Sequence, residues 1–247
     1  MLEYHDVAEY IQQEVYDPPF LIQDLLARGG SLELCGQPGV MKSWTAEQMG
    51  FCIATGTDWL NFRTSQARCL LTNFEISKPR YHHRLVLMSR NFAVEQGMLI
   101  ECTLPYFYLD EGNRFEVFKE LVEFVEPGVI ILDCFSGCFG GDENSPREMS
   151  HFIEILSELK GENRGIILIH HTNKNPLIVS PIDKSRGHTK LTGWVDTVLF
   201  MTNQPSGKQI QFGKTRHATS ELHSINISFD NYLWVLRGQT NPNQGGA

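Results

Sequence analysis

Eight residues, Gly36-Gln37-Pro38-Gly39-Val40-Met41-Lys42-Ser43, stand between an apolar run, Ser31 to Cys35, and a helical pattern from Lys42 to Ala54. A glycine, four spacers and then Gly-Lys-Ser/Thr is the pattern of a phosphate-binding P-loop. Its backbone N–H groups and the helix N-terminus cradle phosphate oxygens. In that pattern Lys42 neutralises β and γ phosphate charge, Ser43 offers its hydroxyl to Mg²⁺, and Trp44 follows directly. The loop works only between a strand and a helix, so it commits the chain to an α/β fold. One position departs: Met41 occupies the place of the second glycine and puts a side chain on a tightly folded backbone. The alternative reading of the segment is an ordinary Gly-Pro turn before a helix.

The rest of the chain continues the alternation. Residues 5–16 and 20–27 are read as short helical pieces, the first ended by Asp17-Pro18-Pro19. Cys69 to Phe74 is an apolar strand, followed by a polar segment to Arg90 with helical character. In that segment the Arg80 to Arg84 run, with His82 and His83, is read as a solvated helix face. Tyr106 to Leu109 is expected as a short strand, and Phe115 to Val125 as a helix stopped by Gly128. Val129 to Leu132 and Ile166 to Ile169 are β-branched runs suited to burial on both sheet faces. Between them, Ser145-Pro146-Arg147-Glu148 carries the signature of a capped helix start. Four closely spaced strands follow, near Thr197–Met201, Gln209–Phe212, Leu222–Ser228 and Leu233–Leu236. The expected architecture is a mostly parallel sheet flanked by helices with an antiparallel C-terminal extension. Residues 1–19 form a lead that can contact a neighbouring subunit, 20–238 the main domain and 239–247 a tail.

Two acids close apolar strands, where ligands of open α/β sheets bind. Asp133 suits a carboxylate that holds Mg²⁺, and Glu75 a base or orienter for an attacking water. Each taken singly is also consistent with a capping acid.

Composition narrows the class. With 247 residues, 41% hydrophobic and 11% aromatic, the chain can build a sizeable core. No apolar stretch approaches the roughly 18 residues of a membrane span, and the acidic N-terminus lacks a secretory pattern, so no membrane partner and a cytoplasmic location are expected. The six cysteines lie mostly in apolar runs and are read as reduced thiols. Only Cys134 and Cys138 are close together, and no second pair completes a structural zinc site. The net charge of −8 is unevenly spread. Residues 172–217 hold seven Lys/Arg against two acids, a local +5, which leaves −13 for the remainder. Lys174, Lys184, Arg186 and Lys190 fall in a polar stretch that suits either a nucleic-acid-contacting loop or a solvated connection.

Taken with GQPGVMKSW, the segments ATGTDWL, NFE, IILDCFSGCFGGDENS, IILIHHTNK, RGHTKLTGWVDTVLF and FGKTRH resemble the RecA-fold P-loop ATPases. Within that group the pattern is similar to the branch of RepA-like and DnaB-like hexameric helicases, over about residues 20–236. The resemblance implies ATP bound by Gly36, Gly39, Lys42 and Ser43, Mg²⁺ held by Ser43 and Asp133, and water activated by Glu75. It implies that His170 and His171 sense the γ-phosphate and relay its presence to a DNA-binding loop. It also implies that Lys214 and Arg216 enter a neighbouring subunit's site, in a ring working on single-stranded DNA. Two further readings keep the same fold: a nucleotide-dependent binding module with weak hydrolysis, and a recombinase or KaiC-like assembly.

Overall fold

The computed structural model describes residues 4–13, 19–172 and 189–237. Its organising element is a nine-stranded sheet. The strands are β3 (Ser31–Gly36), β4 (Cys69–Asn73), β5 (Leu99–Thr103), β6 (Val129–Asp133), β7 (Gly165–His171), β8 (Thr197–Gln204), β9 (Gly207–Thr215), β10 (Ile225–Asp230) and β11 (Leu233–Leu236). Across the sheet they run β11-β10-β9-β8-β3-β7-β6-β4-β5. The six from β8 to β5 are parallel and the last three are joined antiparallel. β3 is central, pairing with β7 on one side and β8 on the other. This is the expected α/β architecture with its antiparallel extension.

Alternation along the strands builds two cores. Leu32, Leu34, Leu71, Ile131, Ile167, Ile169 and Leu199 face helix α2 (Lys42–Thr55). Leu70, Ile130, Leu132, Ile166 and Leu168 face α4 (Arg114–Val125), the short α5 (Phe135–Cys138) and α6 (Pro146–Lys160). Of the remaining helices among the described residues, α1 spans Val7–Tyr10, α3 Lys78–Ser89 and α7 Thr189–Trp194. None of these helices is long and apolar enough to cross a membrane.

Three local expectations are corrected. Residues 20–27 form a small antiparallel hairpin, β1 (Phe20–Ile22) with β2 (Leu26–Ala27), rather than a helical turn. Leu21, Ile22, Leu25 and Leu26 are all fully buried, so both faces of this piece are covered and no helical stripe is needed. The strand expected at Tyr106–Leu109 lies instead at Leu99–Thr103, where the backbone can pair with β4; Tyr106 takes a left-handed turn conformation. Of the helix expected over 5–16, the described part is α1 alone, and residues 14–18 lie outside the described residues. The other termini follow local chemistry. Ser145 Oγ accepts from the Glu148 N–H at 3.4 Å, although the Glu148 carboxylate turns to the Asp142 N–H. α4 stops at Glu126, in the left-handed region, two residues before Gly128.

α2 is buried along most of its length, which sets two demands. The first is close approach: a Cβ at Gly50 would meet Leu71 at 2.8 Å and Ile131 at 3.0 Å. The second is satisfaction of its polar side chains. Gln48 is bonded at both ends of its amide to the Trp234 backbone, 2.9 Å to the carbonyl and 2.7 Å from the N–H, tying β11 to the helix. Glu47 receives the Arg84 guanidinium of α3 at 2.8 Å, and Arg84 also lies over the Trp44 ring at 5.4 Å. Arg84 therefore departs from the solvated face expected for its run. Burial outweighs the guanidinium and pushes Glu47 up to about 8.

α2 begins at Met41, whose φ of 70° and ψ of 38° place it in the left-handed region. Glycine enters that region freely, and a side chain costs roughly 1 to 2 kcal/mol there. Met41→Gly is therefore expected to be more stable than Met41→Ala by about 1 kcal/mol in urea unfolding, since both lose the same packing and only glycine relieves the backbone. A second expectation concerns Glu47. An acid whose folded pKa is raised stabilises the fold below its ordinary value, near 4.5, and that stabilisation is lost as pH rises towards about 8. Glu47→Gln keeps the neutral form throughout. It should match the parent protein near pH 5 and gain on it with rising pH, on the order of 1 kcal/mol per unit up to about pH 7.5, in denaturation series across pH.

Candidate nucleotide site

The parallel strands deliver their C-terminal ends to one edge of the sheet. Gly36 ends β3, Asp133 ends β6, His171 ends β7, and Glu75 follows β4 by two residues. Gly36 must be glycine for space, because a Cβ would come within 2.6 Å of the Met201 carbonyl on β8. Gln37, Pro38 and Gly39 are exposed at the top of the loop, and Val40 is buried beneath them. The loop then delivers its backbone to the N-terminus of the 14-residue α2, where helix dipole and unpaired N–H groups favour an anion.

Lys42 folds back into this loop. Its Nζ donates to the carbonyls of Gly36 at 2.7 Å and Gln37 at 3.1 Å, and lies 3.0 Å from His171 Nδ1. Burial, only partly offset by nearby acidic groups, lowers its pKa to about 8. A proton donated by Lys42 makes Nδ1 the acceptor, which leaves the ring proton on Nε2. That nitrogen lies 3.9 Å from Glu75 Oε2. Burial also lowers the His171 pKa, and the Lys42 charge adds to the effect. The imidazole is thus held neutral between an ammonium and a carboxylate.

Asp133 is buried, and burial raises it to about 6, against a hydrogen bond from Ser43 that acts the other way. Its Oδ1 is a buried oxygen without a hydrogen-bond partner. A carboxylate oxygen left over beside a serine hydroxyl is the donor chemistry of a hard cation, so the residues present fit Mg²⁺. Next to the loop, a cavity of about 370 Å³ opens along the end of β8, lined among others by Gly36, Gln37, Val40, Phe200, Thr202 and Gln211. Its position and size suit the remainder of a nucleotide. Trp44 is half-buried, packed edge-on against Phe229 and stacked with Tyr232.

The two histidines separate as adjacent strand residues do. His171 turns to the loop, while His170 is buried on the opposite face with Nδ1 2.7 Å from Glu33 Oε1 and its ring 4.8 Å from that of Phe135. Sequence reasoning named His170 but missed Glu33, which reads as one polar residue inside an apolar strand. The signal was its position: an acid at the centre of a strand buried on both faces must have a partner.

Lys214 and Arg216 stand elsewhere. Lys214 pairs with Val198 on β8, whereas Gly36 pairs with Met201, three residues and about 10 Å further along that strand. Lys214 Nζ donates to the carbonyls of Thr192, Gly193 and Val195, and Arg216 to Asp196 and Gly193, closing the end of α7. Lys190 is bonded to Pro146 and Ser150 of α6. Lys174, Lys184 and Arg186 lie outside the described residues.

Two comparisons with known proteins agree with this geometry. A KaiC-like protein from the hyperthermophilic archaeon Pyrococcus horikoshii OT3 superposes with a TM-score of 0.62, at 14% identity, over 89% of this chain and 95% of that one, which shows the shared fold. No curated protein sequence matches significantly. Residues 3–176, more than half the chain, match the family of AAA domains. The chain belongs to that AAA-domain family, as a P-loop ATPase of the RecA fold.

Proposed function

We propose that the protein is an ATP-driven motor that assembles with copies of itself into a ring, on the pattern of RepA-like and DnaB-like helicases, and couples hydrolysis to binding or movement on single-stranded DNA. The observation that carries this reading is the placement of His171. It touches Lys42 in the phosphate loop and faces Glu75, and one residue after it the chain enters the stretch bearing Lys174, Lys184, Arg186 and Lys190. A change in phosphate occupancy at Lys42 is therefore felt at the root of a basic segment suited to a nucleic-acid backbone.

In this reading the loop N–H groups and Lys42 bind the triphosphate, and Lys42 exchanges its carbonyl partners for phosphate oxygens. Ser43 and Asp133 would hold Mg²⁺, which neutralises charge on the β and γ oxygens when bound. Glu75, exposed at the mouth of the site, orients a water for in-line attack and accepts its proton. Lys214 and Arg216 lie too far from the loop of their own chain to act there, which suits a role in a neighbour's site. Their present partners are mostly carbonyl oxygens, and Arg216 remains half-exposed. A second reading, a KaiC-like assembly without a DNA track, draws on the fold likeness to the Pyrococcus protein; it too uses the loop and a neighbour's basic residues.

ATP turnover measured with and without a single-stranded oligonucleotide tests the proposal. Lys42→Ala should lower turnover by about 10²-fold or more, and the parent protein should be stimulated by the oligonucleotide. Turnover no higher than that of Lys42→Ala would sink the motor. Turnover that the oligonucleotide leaves unchanged would favour the KaiC-like reading. A mixing experiment tests the neighbour's role. Lys42→Ala and Arg216→Ala, each about 10³-fold impaired alone, should regain activity when combined, since some interfaces then pair an intact loop with an intact Arg216. Mixtures no more active than the separate variants would exclude action in trans.

A further inference from the structure

Beside the phosphate loop lies a group of side chains that hydrolysis does not require as a set. Glu75, Cys134 and His171 come from three different strand ends, and their donor atoms all lie within 4.8 Å of one another. Cys134 Sγ is 3.6 Å from Glu75 Oε2, and His171 Nε2 is 3.9 Å from the same oxygen. Donors around a tetrahedral zinc ion, bonded at roughly 2.0 to 2.3 Å, stand roughly 3.3 to 3.7 Å from one another. Two edges of the triangle are thus close to ligation distance before any ion enters. We propose that Glu75, Cys134 and His171 form a binding site for a zinc-class divalent cation, with the fourth position open to water on the phosphate side.

The donor chemistry selects the ion. Sulfur, imidazole nitrogen and a single carboxylate suit zinc, and cobalt as its spectroscopic substitute, whereas Mg²⁺ and Ca²⁺ take oxygen ligands. The geometry also dictates what must move. Cys134 is buried, and burial holds its thiol up at about 11; on ligation the sulfur–metal bond replaces the S–H bond and the proton leaves to solvent. His171 must present an unprotonated Nε2, so its ring proton shifts to Nδ1 and Lys42 gives up that contact while retaining the Gly36 and Gln37 carbonyls. Thiolate and carboxylate together balance the dication, which limits the penalty from the neighbouring ammonium. Glu75 is exposed and His171 half-buried, so the ion has an entry path from the mouth of the site.

Occupancy removes Glu75 and His171 from the roles assigned to them above, so the cation should silence hydrolysis; this consequence, unlike the site itself, rests on the proposed function. The test is titration of the full chain with Co²⁺ under reducing conditions, followed by displacement with Zn²⁺ against a chromophoric chelator. The expected result is a thiolate-to-cobalt charge-transfer band that is lost in Cys134→Ser and kept in Cys102→Ser. Glu75→Gln, an exposed position whose replacement leaves the fold intact, should weaken binding at least about tenfold. Absence of the band, or a band and affinity unchanged in Cys134→Ser and Glu75→Gln, overturns the site. Binding with these signatures but with undiminished ATP turnover at saturating Zn²⁺ upholds the site and overturns instead the assignment of Glu75 as the group that orients water.

Discussion

A lysine ammonium at the first turn of a buried helix has to be satisfied, and the arrangement around Lys42 follows from that requirement. Positive charge at a helix N-terminus opposes the dipole, so Lys42 cannot rest against its own helix. It turns instead to the Gly36 and Gln37 carbonyls and to His171. The His171 contact exists only because β3 and β7 are neighbours with Gly36 level with His171. Strand order, register and the loop's curvature therefore meet at one ammonium group. With an anion present the opposition is relieved, because the same charge and the same N–H groups then face negative oxygen.

How much of this was legible in the sequence depended on how local each signal was. The phosphate loop, the acids at strand ends and the buried β-branched runs can all be read from spacing along the chain, and the structure brings Lys42, Ser43, Asp133, Glu75 and His171 to one edge. The hairpin at Phe20–Ala27 was not legible, because apolar residues covered on both faces carry neither a helical nor a strand period. Leu99–Thr103 was missed for a related reason: it is the edge strand, half-buried throughout, with a glutamate and a cysteine in a short run. Arg84 was misjudged because its partner, Glu47, sits 37 residues earlier on another helix. Likewise, spacing along the chain pairs Cys134 only with Cys138 and offers no second pair to complete a metal site. Its companions Glu75 and His171 become neighbours only once the sheet has formed.

The positive surplus of residues 172–217 now divides into two kinds. Lys190, Lys214 and Arg216 are engaged with their own chain, mostly through backbone carbonyls at the ends of α6 and α7. Lys214 and Arg216 complement the C-terminal carbonyl end of the short α7, whereas Lys190 meets the first turn of α6, so all three stabilise the fold of their own chain. A basic residue on a sequence plot is therefore not the same as positive potential offered to a partner. The charge left for a partner is smaller than the count suggests.

The central position of β3 has a consequence for synthesis. The strand that leads into the phosphate loop is made early, yet it waits for β7 and β8, more than 130 residues later, to cover its two edges. The helix that follows the loop waits longer still, until Trp234 reaches Gln48. Such long-range closure makes folding slow relative to local helix formation. It also means that an emerging chain has no assembled phosphate site until nearly all of the sheet is present. Nucleotide capture is in this way deferred to the finished molecule, and a chain halted midway on the ribosome would hold the loop sequence without the ability to use it.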